Sequence, residues 1–514
     1  MIKKNINKFK IYNNFSSYIL ITLLCLVGMM LISLSPITQA DALDYHTSSS
    51  INILNLGAFD KELLPMTSKL ASIGELMMTL GFAIKLEQFG SLVQFSSIFS
   101  LIPLFLKKKR SINYLILLTI LLSPITIFFI SSPKPQLVQC VATLLIFSFL
   151  IKDLVNYTQT QIKVIFSVIV FILAMNVLIK YSFIVSSSIL YLYCIYLMYK
   201  INFLKKAIFI SLIIFSITIL PSWIHRHIYF DTSFFNLLLS PLPLNIYGYQ
   251  NLHNLLSPNK FNVMSLIIPK NLGELSTTYG PILFLIFFIK ANYFRKYKDF
   301  YLTILIFGFI HYYFGSNLTR FFYEGYLWLM YILLKSDPIA NRYFIGYKSL
   351  LKIQIFFGFF VVYISAYFLF QGSLSSDLRD KTMNNHANGY SLAKWVNENV
   401  DEKDILLTTH RSFSLYNNET YPIMFTRQID LKKQKKNMII YTNFLKTKKI
   451  NKIVFYGQKL NTAPFENCIG KIYAYKKNVG RKVGRNPFKL NEEKIYNGWI
   501  YEFNYNLLPG CLLG

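Results

Sequence analysis

Residues 40–46 read Ala-Asp-Ala-Leu-Asp-Tyr-His, so Asp41, Asp44 and His46 fall within six positions. Two carboxylates and an imidazole are side chains that take up and return protons near neutral pH. A second set of candidates is cationic: Lys134 in Pro-Lys-Pro-Gln, Lys180, Arg226 between His225 and His227, Lys270 and Arg320. Cations stabilise a departing phosphate, and arginine grips one through a planar two-pronged fork. Glu324 follows Arg320 by four residues, the spacing of a helical ion pair. A base beside an acceptor hydroxyl and positive charge beside a leaving phosphate together serve group transfer from a phosphate ester.

Such residues act only if the fold holds them on one side of something. Of the 514 residues, 54% are hydrophobic and 15% charged, well below the quarter that soluble domains carry. Apolar runs recur at 18–37, 91–106, 113–132, 137–151, 163–179, 183–199, 207–224, 279–292, 300–316, 321–334 and 353–370. This pattern predicts a multi-spanning α-helical membrane protein with about eleven transmembrane helices, several of them short. Lys3, Lys4, Lys8 and Lys10 precede the first run, which keeps the N-terminus in the cytoplasm. Lys107-Lys108-Lys109-Arg110, the 200–206 loop and Arg295-Lys296-Tyr297-Lys298 then fall on that same side. A cleaved signal peptide ending near Ala40-Asp41-Ala42 is the competing reading of the first run.

The net charge of +29 lies largely in these loops, so anionic lipid rather than nucleic acid is its partner. Three parts share the outer side: a first loop over 38–90, a loop over 225–277, and everything after 371. Within the first loop Leu70, Ile73, Leu76, Met77 and Leu80 recur at helical spacing, predicting an interfacial amphipathic helix. Beyond residue 372 short apolar stretches alternate with helical ones, predicting a small extracytoplasmic α/β domain over 372–514 after a membrane domain over 1–371. The basic stretch 476–489 reads as a solvated loop. Cys468 and Cys511 lie in this part and pair only in an oxidising compartment.

The first span, the acidic "DALDYH" opening of the outer loop, the interfacial helix, the many spans and the outer C-terminal domain together resemble the GT-C superfamily. Its members are polyprenyl-phosphate-dependent glycosyltransferases, and "DALDYH" is similar to the first-loop acidic motif of the dolichyl-phosphate-mannose protein mannosyltransferase branch. "SNLTRFFYEGYLW", with Arg320 and Glu324, is similar to an arginine-bearing late segment of bacterial relatives. The resemblance implies a glycosyltransferase in the cytoplasmic membrane. It would take a polyprenyl-phosphate sugar donor and a glycan, lipid or protein acceptor on the outer face. Asp41 takes the catalytic carboxylate role, with Asp44 next and His46 assisting. Arg320, Arg226, Lys180 and Lys134 are the donor-phosphate ligands, supported by Glu324. No cofactor follows with certainty; a divalent metal stays open, although one histidine in the loop does not make a metal site.

Plainer readings stand beside these. Asp41 and Asp44 end a helix and solvate its loop; Arg320 and Glu324 form only an i, i+4 pair; Lys134 is an ordinary loop lysine; His311 is a core histidine in an aromatic span. Two other functions also compete. An O-antigen polymerase or ligase would work through His225, Arg226, His227 and His253 in the long outer loop. A lipid or glycan transporter would show internal repeats, and none is evident.

Overall fold

The computed structural model describes residues 2–58, 73–107, 110–151, 157–230, 263–269, 278–314, 319–336, 342–410, 412–423, 442–460, 462, 465–481, 495–508 and 510–513. Lys270, His253 and most of the 225–277 loop lie outside them, as do residues 482–489 of the basic stretch. Contacts divide the chain into two compact units, one of 1–35, 88–220 and 258–374, the other of 36–87, 221–257 and 375–514.

The first unit is helical. Five helices are long and apolar enough to cross a membrane: Phe89–Leu106, Gln159–Ile179, Tyr181–Lys200, Leu204–His225 and Arg342–Ser373. Ser111–Leu121 and Pro124–Ile130, bent by 54°, make a sixth if they count as one span. The protein is thus a multi-pass membrane protein, with five or six qualifying spans among the described residues against the eleven expected. Shorter apolar helices such as Leu137–Leu150 account for part of the difference. The expected 279–292 span is instead a 3-10 segment over Pro281–Phe288.

The bend has a sequence cause. Pro124 has no N–H to donate and forces Ser123 into an extended conformation. The carbonyl of Ile120, released by the break, accepts from the Ser123 hydroxyl at 2.9 Å and the Thr126 hydroxyl at 2.7 Å. Thr126 also meets the Tyr323 hydroxyl at 2.6 Å, tying the bend to the helix Tyr323–Lys335. Local hydroxyls therefore satisfy the backbone where lipid offers no partner.

The second unit combines the 36–87 segment with the C-terminal part. Its sheet contains β1 (Leu406–Thr408), β2 (Thr420–Pro422), β3 (Lys452–Gly457), β4 (Ile469–Arg481) and β5 (Ile495–Phe503), in the order β2-β1-β3-β5-β4. β1 runs parallel to β2 and β3, and β5 antiparallel to β3 and β4. Leu407, Ile453, Phe455, Phe465 and Phe503 form one apolar core. Val454, Ile500 and Leu406 form a second with the helix Tyr390–Asn399. Alternation along β3 and β5 supplies both cores, one from each face. A disulfide joins Cys468 to Cys511. The basic stretch corrects the loop expectation in part, since residues 476–481 continue β4.

Candidate active site

The acidic turn belongs to the second unit. Ala42–His46 form a single π-helical turn, closed by the Thr47 N–H on the Ala42 carbonyl five residues back. The helix Thr47–Leu56 follows and ends at Gly57, whose φ of +67° suits a left-handed cap. Single π turns recur at functional sites because they shift the register of the side chains they carry. The two residues between the carboxylates are apolar, and they anchor the turn. Ala42 and Leu43 pack with Ile37, Met383 and Ala387, and the Leu43 carbonyl accepts from the Ser414 hydroxyl at 2.6 Å.

This anchoring separates the two aspartates. Asp44 is buried, at 3% exposure, whereas Asp41 is half-buried. His46 is buried, and its Nδ1 lies 2.7 Å from Glu75 Oε1 on the helix Ile73–Ala83. The Ser50 hydroxyl donates toward both the His46 and Glu75 carbonyls, and the Thr79 hydroxyl toward the Ser50 and Glu75 carbonyls. The two helices are thus laced together at the level of the His–Glu pair. Glu75 stands in no motif of the sequence, and only packing marks it as the partner of His46. The expected helix is present over Ile73–Ala83, with Leu70 outside the described residues, Leu76 and Leu80 exposed and Glu75 turned inward.

The cationic residues lie mainly in the first unit. Lys134 is not a solvated loop lysine: it is 2% exposed, with Nζ 4.4 Å from the centre of the Phe128 ring. Its loop fits because Gly90 has no side chain; a Cβ there would come within 2.6 Å of Pro133. Lys180 sits in the extended break between two spanning helices and donates from Nζ to Gln136 Oε1 at 3.1 Å. The other end of that amide, Nε2, reaches the Arg320 carbonyl at 3.5 Å. Gln136 therefore joins Lys180 to the 3-10 turn Thr319–Phe322 that carries Arg320. The backbone N–H groups of Gln136, Leu137 and Val138 converge on Gln94 Oε1 at 3.2, 2.7 and 3.2 Å. These are orphan donors of a helix N-terminus, capped by a side chain from another helix.

Glu324 departs from the helical-pair expectation. Its carboxyl accepts from the Thr143 hydroxyl at 2.9 Å and borders Ser186, while the Arg320 guanidinium lies over the Phe321 ring at 5.4 Å. The reason is local: Arg320 stands on a 3-10 turn, so the α-helical i, i+4 geometry is not set up. Arg226 lies on the helix Ile219–Phe230, with its side chain outside the described residues; His225 and His227 beside it are exposed. His311 packs in the core against Phe307, with ring centres 4.5 Å apart. Among the described residues no three His, Cys, Asp or Glu side chains gather as a metal-binding group.

A family model described as the DUF1420 N-terminal domain matches residues 1–383, and one described as the DUF1420 C-terminal domain matches 384–513. The chain belongs to the DUF1420 family. No curated protein matches this DUF1420 chain in sequence. Among solved structures, ArnT from Cupriavidus metallidurans bound to undecaprenyl phosphate is similar, with a TM-score of 0.56 and 11% identity over 94% of this chain and 97% of that one. Apo ArnT from the same organism gives 0.55 and 11% over 95% and 98%. At this identity the likeness is one of fold.

Proposed function

We propose that this chain is an integral membrane glycosyltransferase of the GT-C type. It moves a sugar from a polyprenyl-phosphate donor to a glycan, lipid or protein acceptor on the outer face of the cytoplasmic membrane. The observation that carries the reading is the Gln136 amide, which joins Lys180 to the turn of Arg320 close to the membrane-spanning helices. It occurs in a fold shared end to end with a protein solved with undecaprenyl phosphate.

In this mechanism the acceptor hydroxyl oxygen bonds to the anomeric carbon as that carbon's bond to the phosphate oxygen breaks. The electron pair leaves with the lipid phosphate, and the hydroxyl proton passes to a carboxylate of the acidic turn. Asp41 is assigned as that base, with Asp44 next in line, as the family resemblance implies. Lys180, Arg320 and Lys134 stabilise the departing phosphate, and Arg226 is carried as a further ligand. Glu324 supports this end of the site through Thr143 and Ser186. The Cys468–Cys511 disulfide supports an outer, oxidising location for the C-terminal part. With it goes the expected division into a membrane domain over 1–371 and an extracytoplasmic domain over 372–514.

The test is reconstitution of the full chain in proteoliposomes with radiolabelled undecaprenyl-phosphate sugars and an envelope extract as acceptor. Label moving from the lipid phosphate into a new product supports the reading. Absence of transfer from every donor, with undecaprenyl phosphate itself unbound, defeats it.

A further inference from the structure

The helix Leu137–Leu150 and its N-cap place Gln136, Gln139, Cys140 and Thr143 along one stripe, spaced three, four and seven residues apart. Everything this stripe meets is unusual for a membrane bundle. Gln136 meets Lys180, Thr143 meets Glu324, and Cys140 lies within electrostatic reach of both charged groups. Glu324 is a buried carboxyl among spanning helices, where an ionisable side chain is costly unless it has work to do. Asn176 and Ser187 stand on the two helices that meet at Lys180, and both helices pack against the helix Leu137–Leu150.

Three side chains here leave hydrogen-bonding capacity unused. Gln139 Oε1, Asn176 Nδ2 and the Ser187 hydroxyl have no partner among the described residues, and their residues are only 2%, 3% and 4% exposed. Apolar residues at these positions would avoid the desolvation cost of unsatisfied polar atoms. The three comprise a carbonyl acceptor, an amide donor and a hydroxyl, the mixture that a ring of sugar hydroxyls, each both donor and acceptor, can satisfy. The stripe from Gln136 to Thr143 spans seven residues of helix, about 10 Å.

We propose that this polar seam binds the sugar headgroup of the donor, below a phosphate held at Lys180 and Arg320. The proposal rests on the transferase reading and adds to it the residues that distinguish a glycosylated lipid phosphate from a bare one. The sugar hydroxyls exchange hydrogen bonds with Gln139, Asn176 and Ser187, and the Glu324 carboxyl accepts from a further hydroxyl. A lipid phosphate without a sugar uses only the cationic end.

The experiment compares affinities of the full chain in nanodiscs for undecaprenyl phosphate and for undecaprenyl-phosphate glucose, galactose and mannose. Expected is a preference of the unchanged protein for at least one glycosylated lipid. Gln139→Leu and Asn176→Leu should cut that affinity about tenfold, one hydrogen bond's worth, while binding of undecaprenyl phosphate stays unchanged. Ser187→Ala removes one hydroxyl and nothing else, so it carries the test if the leucine variants fold poorly. Equal affinity for glycosylated and bare lipid, or equal losses for both in the variants, would overturn the seam and leave the phosphate site standing. Failure of the unchanged protein to bind any of these lipids would instead overturn the transferase reading, and the seam with it.

Discussion

The two units bury opposite kinds of side chain. In the helical unit Phe287, Phe209 and Leu192 are exposed, while Thr119, Ser123, Thr126, Thr143 and Ser186 are fully buried. In the sheet of the second unit the order is the familiar one. Leu407, Ile453 and Phe465 lie inside, and lysines such as Lys476 and Lys477 lie outside. The difference follows from the surroundings each unit meets. Lipid accepts apolar surface at no cost and offers polar groups nothing, so polar groups of the helical unit such as Thr126 and Glu324 turn inward to hydroxyl partners. Water drives apolar surface inward, so the sheet closes two greasy cores. A buried polar residue therefore carries more functional information in the first unit than in the second. A buried pair such as His46–Glu75 is the exception that gives the second unit its own candidate.

That contrast can be tested in four places, the strongest first. Asp41→Asn with Asp44→Asn should lower transfer about a thousandfold in the proteoliposome assay, since asparagine keeps the shape but cannot take a proton. Near-normal turnover would remove the acidic turn from the chemistry and leave it a structural joint.

Glu75→Ala should destabilise the folded protein by about 3 kcal/mol, because it removes the carboxylate paired with a buried histidine. Scanning fluorimetry of the full chain in detergent would report this as a lower melting temperature. Replacing both partners, His46→Leu with Glu75→Leu, should recover much of the loss, as apolar pairs often replace buried ion pairs without penalty. If the double variant melts as low as the single, the pair is not the source of the effect.

Arg320→Lys keeps the charge and loses the fork, and should weaken undecaprenyl phosphate binding by about 2 kcal/mol. Native mass spectrometry with graded lipid would measure it. An unchanged affinity would assign Arg320 a packing role over Phe321.

The smallest effect is expected at Arg379, whose guanidinium meets both Glu87 oxygens at 2.6 Å on a partly exposed surface. Arg379→Ala should cost about 1 kcal/mol or less, given solvent screening. A loss as large as that of Glu75→Ala would show that exposure is a poor guide in the second unit.

Much of this protein was legible in the chain. The apolar runs and the basic loops between them gave its membrane class, because a bilayer demands long stretches of one character whatever the fold. The short apolar segments near 406 and 452 became β1 and β3, and the alternating ones near 472 and 499 became β4 and β5, because a strand with two distinct faces writes its period locally. The span count was less legible, since helices as short as Leu137–Leu150 and the break at Pro124 blur the ends of each run.

The site divided along the same line. Sequence alone singled out Asp41, Asp44 and His46, because chemistry-bearing residues at close spacing are visible in any chain. Only the tertiary structure decided that Asp44 is buried and Asp41 half-buried, that Lys134 is enclosed, and that Glu324 takes Thr143 rather than Arg320. It alone paired His46 with Glu75, 29 residues away, and set Gln94 on the N-terminus of a helix more than 40 residues on. The physical reason is one of range. Composition and periodicity record which solvent each segment meets, whereas a partner for a particular nitrogen or oxygen is chosen by packing between segments distant in the chain.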